Sequence, residues 1–427
     1  MSCELTILLP VLDEAMNLEV LLPAIHDVAG RLSVSYEILV VDGGSQDGSR
    51  EIADRRGART LAQESPGYGG ALRDGIRAAR GRFILTMDSD LSHDPIVITQ
   101  LFAARHKADV IVASRYMPGG EADMPRLRYW LSRTLNVVFR FVLSLSVRDV
   151  SSGFRLYRAA IFREIDITRR NFDALEEILV KALARGFRLL ELPFRYKPRH
   201  TGETHARLWA FGRAYLGTLF QMWKLRNSIS SADYDYRAYF SRHPYQRFWQ
   251  RRRFSIIARM SHCPPRILDV GCGSSYMITA FPQAVVCDVL HHKLRFVGRM
   301  TSRRTCASVF ALPFPDGHFD EVICSQVIEH VPRDERVLDE LARVLAPGGR
   351  LIIGTPDYGR WQWRVIEWIY ARVNPVGYAD EHITHYTRET LTRELLRRGL
   401  VVEEFRYIHG AELIVRARWG REGGMRR

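Results

Sequence analysis

Phe83-Ile84-Leu85-Thr86-Met87-Asp88-Ser89-Asp90 is an apolar run that breaks off on two carboxylates separated by one serine. A short segment of this kind, free of charge until its end, reads as a buried strand. Acids just beyond its carboxyl end stand where open α/β sheets collect their ligands. The pair reads either as a solvated acidic turn or as a seat for a hard divalent cation, whose remaining ligands would be phosphate oxygens and water.

Working outward, residues 5–10, 36–42, 82–88 and 108–114 read as strands that close on polar or glycine-rich turns. Segments 17–31 and 70–80 carry helical spacing, and the alternation predicts a parallel α/β sheet. Residues 172–230 read as mostly helical around one further strand at 188–194. A second α/β pattern opens at Arg266-Ile267-Leu268-Asp269-Val270 and continues with strands at 284–288, 321–325 and 350–355. At 427 residues the chain exceeds one ordinary core. The expected organisation is therefore a domain at 1–228, a basic aromatic connector at 229–262 and a domain at 263–427.

Lys and Arg number 62 against 48 Asp and Glu, a net charge of +14. That favours anionic partners such as nucleic acid, nucleotides, phosphorylated substrates or an acidic membrane surface. The six cysteines, at 3, 263, 272, 287, 306 and 324, form no CxxC pair. This argues against a zinc knuckle or disulfide framework and for reduced thiols in a cytoplasmic protein. The start of the chain has no leader pattern. The best candidate span, 135–145, is short and interrupted by Arg140, so no bilayer crossing is expected.

A second acidic turn, Val40-Val41-Asp42-Gly43-Gly44-Ser45-Gln46-Asp47-Gly48, closes another strand. Asp42 reads either as an acceptor for a base or ribose or as part of a plain left-handed turn. Further stretches follow in order: Pro10-Val11-Leu12-Asp13-Glu14, Gly67-Tyr68-Gly69-Gly70-Ala71-Leu72, Asp88-Ser89-Asp90-Leu91-Ser92-His93-Asp94-Pro95, Ala113-Ser114-Arg115-Tyr116 and Asp149-Val150-Ser151-Ser152-Gly153-Phe154-Arg155. This series resembles the family 2 inverting glycosyltransferases of GT-A fold, and specifically the dolichol- or polyprenyl-phosphate mannosyltransferases, over residues 4 to about 225.

The resemblance implies roles. Pro10, Asp13, Glu14 and Asp42 would line the nucleotide-sugar pocket. Asp88 and Asp90 would bind Mg²⁺ or Mn²⁺, with Ser92 where some members place a metal-binding Gln. Arg115, Arg133 and Arg199 would grip donor and acceptor phosphates, completing a catalytic set with the two acids. Two departures stand out: Gly202-Glu203-Thr204-His205 replaces Gly-Glu-Ser-Lys, and Asp42-Gly43 replaces an Asp-Asp pair. His205 titrates where Lys stays charged.

Residues 207–226 carry Leu, Trp, Phe, Tyr and Met at helical spacing with basic flanks. They read either as a core-packing helix or as one lying at a membrane interface. The arginine- and aromatic-rich stretch 245–254 reads as a solvated helix between domains or as a contact for nucleic acid or anionic lipid.

In the second half, Leu268-Asp269-Val270-Gly271-Cys272-Gly273-Ser274-Ser275 closes a strand on a glycine turn, and Asp288 ends the next one. That spacing serves a Rossmann-like nucleoside site for either NAD or S-adenosylmethionine. Three downstream stretches follow: Ala311-Leu312-Pro313-Phe314-Pro315-Asp316-Gly317-His318-Phe319-Asp320, Gln326-Val327-Ile328-Glu329-His330-Val331 and Leu345-Ala346-Pro347-Gly348-Gly349-Arg350-Leu351. Together they resemble class I S-adenosylmethionine-dependent methyltransferases of type 11. The likeness implies that Asp269, Gly271 and Gly273 approach the methionine part and that Asp288 holds the ribose hydroxyls. Ser275 stands where a third Gly is usual, and Ser308 where an acid normally contacts adenine. His330, His382 and His385 read as general bases or as structural residues.

The expectation is a fused enzyme. The first domain would move a hexose, mannose before glucose, from GDP-mannose or UDP-glucose to polyprenyl phosphate with inversion. The second would methylate an acceptor that the sequence leaves open. Both would work peripherally at the cytoplasmic membrane face. The alternatives are a protein or polysaccharide acceptor with a non-catalytic methyltransferase-like domain, and a nucleic-acid methyltransferase. Against the last, basic residues are spread over both domains, and the first domain would be unexplained.

Overall fold

The computed structural model describes residues 3–197, 208–373 and 382–419. It divides into two units, Met1–Arg226 and Asn227–Arg427.

In the first unit the described elements are β1 (Leu5–Val11), α1 (Ala15–Gly30), β2 (Tyr36–Asp42), α2 (Ser49–Arg55), β3 (Arg59–Ala62), α3 (Tyr68–Ala78), β4 (Phe83–Thr86), α4 (Val97–Ala103), β5 (Val110–Ser114), β6 (Glu121–Ala122), α5 (Arg126–Leu143), β7 (Arg155–Arg158), α6 (Ala174–Ala184), β8 (Leu189–Pro193), β9 (Arg195–Tyr196) and α7 (Leu208–Asn227). The main sheet runs β3-β2-β1-β4-β7-β5-β8. β1, β2 and β4 are buried on both faces, as strands covered by helices must be. One core lies under α1 and α4 and the other under α3, α5 and α6.

The sheet is not wholly parallel, which corrects the sequence expectation. β7 pairs antiparallel with both β4 and β5. Its sequence hides it, because Arg155 and Arg158 bracket only Leu156 and Tyr157. Arg155 is nevertheless fully buried, its guanidinium donating to the carbonyls of Leu175 at 2.7 Å and Val150 at 2.6 Å.

The second unit comprises α8 (Tyr234–Tyr239), α9 (Pro244–Met260), β10 (Ile267–Val270), β11 (Val285–Asp288), α10 (His291–Val297), β12 (Arg304–Cys306), β13 (Phe319–Ser325), α11 (Glu335–Arg343), β14 (Leu345–Pro356), α12 (Trp361–Val373), α13 (Arg388–Arg397), β15 (Leu400–Ile408) and β16 (Glu412–Trp419). Its sheet runs β12-β11-β10-β13-β14-β16-β15. The last two strands form an antiparallel hairpin on the edge of a parallel sheet. α9, within the basic aromatic stretch 229–262, carries a core face: Trp249, Ile256, Ile257 and Met260 pack with Ile267, Ile323 and Ile352. Arg253 and the Trp249 indole both bond the buried Glu412 carboxylate. The folds are thus GT-A followed by Rossmann-like.

Candidate active sites

Parallel pairing brings the carboxyl ends of β2, β1 and β4 to one edge, with Val11 opposite Asp42 and Leu8 opposite Thr86. Asp13 follows β1 in a left-handed backbone conformation, φ 55°. Its carboxylate accepts from Gln46 N–H at 2.8 Å, and its own N–H donates to Ser45 Oγ at 2.9 Å. Glu14 N–H reaches Ser49 Oγ and Ala15 N–H reaches Asp47, so the loops after β1 and β2 are cross-linked. Asp42, nearly buried, accepts from Ser45 N–H at 3.1 Å.

Asp88 and Asp90 sit on the same edge. Ser89 Oγ donates to the Pro10 carbonyl at 3.1 Å and ties their loop to β1. Tyr68, stacked on Phe172, donates to Asp88 Oδ1 at 3.2 Å. A side chain at Gly153 would stand 3.2 Å from that oxygen. Ser92 donates to Asp90 Oδ1 through both its N–H and its hydroxyl, so it holds that carboxylate in place. His93 is buried against Phe154 and accepts from Asp88 N–H through Nδ1. Burial pushes its pKa down although Asp88 and Asp90 pull the other way, which keeps it neutral with the proton on Nε2. Two carboxylates with hydroxyl and imidazole supports form an oxygen donor set suited to a hard cation.

Arg115, at the end of β5, lies beyond these acids. Its backbone N–H, Nε and one terminal nitrogen all donate to Asp149, at 2.9, 2.8 and 2.7 Å. Burial works against the Asp149 charge, yet the Arg115 guanidinium holds it below the usual carboxylate range. Arg115 also lines a cavity of about 460 Å³ with Tyr116, Tyr129, Arg133 and Arg195. Arg133 is exposed on α5, and Arg195 pairs with Glu121 at 3.0 Å. Arg199 and the 202–205 segment lie outside the described residues.

In the second unit Gly271 and Gly273 take left-handed conformations, φ 66° and 55°. A Cβ on Gly271 would fall 2.1 Å from Val327, and one on Gly273 2.5 Å from Asp235. Gly273 N–H donates to Asp288 Oδ2 at 2.8 Å. Asp269 is buried beside Asp288, and burial together with that neighbour raises its pKa to about 7. These groups line a cavity of about 380 Å³ that also takes in Ser275 and Ser308. Asp235 and the buried Lys293 pair across its wall at 3.0 Å.

Residues 6–166 match the glycosyl transferase family 2 model, and residues 268–353 match the methyltransferase domain model. The polyprenol monophosphomannose synthase of Mycolicibacterium smegmatis is 30% identical over 216 residues, 46% of this chain and 78% of that protein. The chain belongs to glycosyl transferase family 2. The undecaprenyl-phosphate mannosyltransferase of Micrococcus luteus is likewise 30% identical, over 210 residues that make up 46% of this family 2 chain and 85% of that protein. Among solved structures, glucosyl-3-phosphoglycerate synthase from Mycobacterium tuberculosis overlaps 52% of this chain and 80% of its own, at 18% identity and a TM-score of 0.44.

Of the residues expected in the glycosyltransferase site, Pro10, Asp13, Glu14, Asp42, Asp88, Asp90 and Ser92 share one sheet edge, while Arg115 and Arg133 line the cavity beside β5. Sequence reading missed the supports of that edge, Tyr68 and His93, and the cavity cation Arg195. Tyr68 and His93 both lie inside motifs quoted for other residues, so position in a motif was the available signal. In the second unit it missed the Asp235–Lys293 pair, because Asp235 belongs to a helix read as part of a connector.

Proposed function

We propose that the first unit, functionally residues 1–228, transfers a hexose, mannose before glucose, from a nucleotide sugar to a polyprenyl phosphate with inversion. Residues 263–427 would transfer a methyl group from S-adenosylmethionine. The observation that carries the first part is the edge on which Asp42, Asp88 and Asp90 stand beside an arginine-lined cavity. The two relatives whose names specify mannosyl transfer to a prenyl phosphate support the same choice.

Asp88 and Asp90 would hold Mg²⁺ or Mn²⁺. When bound, the ion would neutralise charge on the leaving diphosphate. The chain's own residues do the rest. Asp13, Glu14 and Asp42 bind the nucleotide, and Ser92, Tyr68 and His93 keep the two acids in place. A phosphate monoester has a second pKa near ~6, so the acceptor is largely dianionic at neutral pH and attacks without a general base. What the reaction needs is cations that hold two anionic groups together, which suits Arg133 and Arg195, with Arg115 fixing the loop between them.

α5, which walls that cavity, exposes Leu127, Trp130, Leu131, Val137, Val138 and Phe141. Patches of this size on one helix mark interaction sites, and arginines along it suit an acidic lipid surface. No described helix is long and apolar enough to cross a membrane. Peripheral attachment at the cytoplasmic face fits these features. α7 packs Tyr215, Leu219 and Met222 on the core and exposes Leu216 and Phe220, so it serves both of the roles its sequence allows. Labelled GDP-mannose and UDP-glucose, each incubated with polyprenyl phosphate, should show which donor delivers label to the lipid phase. Label in neither lipid phase would sink the acceptor assignment.

A further inference from the structure

Glu329, His330 and His382 each present a ligand atom, and these atoms all lie within 4.8 Å of one another. We infer that the second unit binds a divalent transition-metal ion, zinc in class, through Glu329, His330 and His382. One carboxylate and two imidazoles are a donor set for such an ion, which leaves further positions open for an exogenous ligand.

Three observations support a built site. The first is the carboxylate. Glu329 is fully buried, and its Oε1 has no hydrogen-bond partner, while Oε2 accepts from Thr355 at 3.2 Å. The second is the orientation of His382. Tyr358 donates to Glu367 at 2.9 Å, so its oxygen must accept from His382 Nδ1, 2.8 Å away. That relay fixes the proton on Nδ1 and turns the lone pair of Nε2 to the cluster, as outer partners of ligating imidazoles do.

The third is preorganisation. The Glu329 carbonyl accepts from the N–H groups of Ile383 at 2.8 Å and Thr384 at 3.0 Å, and Thr384 Oγ1 donates to the Val331 carbonyl. Backbone bonds therefore stitch the two ligand segments together. Ligand atoms ~2.0–2.2 Å from zinc stand closer together than the present limit, so closing on an ion asks only for small side-chain rotations.

The location suggests a task. His330 lines the cavity that holds Asp269 and Asp288. His382 lines a smaller adjoining cavity with Trp249, Trp363 and Tyr245. An ion between them would coordinate an oxygen of the methyl acceptor and turn it toward the cofactor cavity, which selects oxygen-bearing acceptors such as a hydroxyl or carboxylate. This task rests on the methyltransferase reading; the binding of the ion does not.

The test is titration of the metal-free, full-length chain with Co²⁺ under excess Mg²⁺, which occupies the hard oxygen site of the first unit. The expected result is one Co²⁺ per chain with visible ligand-field absorption and no thiolate charge-transfer band. Glu329→Gln and His382→Gln should each weaken binding at least tenfold, and Tyr358→Phe about tenfold. Because Glu329 is buried, Gln is used to keep its shape, and the half-buried end of the site offers His330→Gln as a further variant. Absence of the absorption, its survival unchanged in all three ligand variants, or a thiolate band would overturn the proposal. Calorimetry with S-adenosylmethionine runs as a separate arm. Cofactor binding without Co²⁺ binding defeats the metal site alone, and Co²⁺ binding without cofactor binding defeats only the task assigned to it.

Discussion

Removing the Arg115 guanidinium while keeping its bulk, in Arg115→Met, isolates what the pair with Asp149 does. Asp149 is fully buried and takes two charge-assisted bonds from that guanidinium. Of its Arg115 partners, Met leaves only the backbone N–H, so an uncompensated carboxylate remains inside the fold. Breaking a buried pair this way costs ~3–5 kcal/mol, a large part of the ~5–15 kcal/mol that holds a typical domain. Removing both charges, in Arg115→Met with Asp149→Leu, should recover stability to within ~1 kcal/mol of the parent. Hydrogen exchange read by mass spectrometry on peptides spanning β5 and β7 reports the loss locally, even if the two units unfold separately. If Arg115→Met shifts protection by less than ~1 kcal/mol yet abolishes sugar transfer, Arg115 acts on phosphate directly and the reasoning fails.

Glu176 has both carboxylate oxygens buried without partners, and burial raises its pKa to about 8 although Arg155 opposes this. The folded state therefore keeps a proton that the unfolded chain releases near 4.5. Stability of the first unit should fall as pH rises from about 5 to 8, and Glu176→Gln should flatten that slope in urea melts by up to ~5 kcal/mol across the range. A slope unchanged by the substitution would rule this out. Asp269 ionises through about 7, so affinity for cationic S-adenosylmethionine should rise between pH 6 and 8, and more than affinity for its neutral-sulfur product. Equal gains for the two ligands in calorimetry would count against Asp269 facing the methionine part. Trp130→Ser with Phe141→Ser on α5 should reduce flotation with anionic vesicles several-fold and spare the fold. Undiminished flotation would remove α5 from the membrane contact. Gly271→Ala must displace Val327 and hold a left-handed φ, costing at least ~1 kcal/mol and weakening cofactor binding.

The central strands were legible because burial on both faces writes an unbroken apolar run, as in Ile38-Leu39-Val40-Val41 and Phe83-Ile84-Leu85. The acidic edge was legible for the same reason, since a charge that ends such a run has to emerge at the strand's carboxyl end. β7 was not, because Arg155 is satisfied by the Leu175 and Val150 carbonyls and Arg158 by the Asp109 carboxylate, partners that the strand's own residues do not announce. β15 escaped notice because Glu403, Glu404 and Arg406 interrupt its apolar residues and a register shift between Val402 and Glu404 spoils the alternation. α9 looked like a linker since its arginines outnumber its core residues, and only the fold shows that Arg253 answers Glu412, 159 positions later. Arg115 and Asp149 each stand in a motif, but their pairing could not be read, because Asp149 meets Arg115 only after α5 has been folded between them. The Glu329-His330 dipeptide was visible, whereas His382 joins it through backbone bonds that no spacing rule encodes.

The most direct measurement is transfer of labelled mannose from GDP-mannose to polyprenyl phosphate under Mn²⁺ or Mg²⁺, with the product's anomeric configuration read by NMR. A lipid-linked sugar of inverted configuration is expected, made only with metal and cut at least a hundredfold in Asp90→Asn, about 3 kcal/mol of transition-state stabilisation. Retained configuration, or full activity in Asp90→Asn with Mn²⁺ present, would contradict metal-dependent inverting transfer at Asp88 and Asp90.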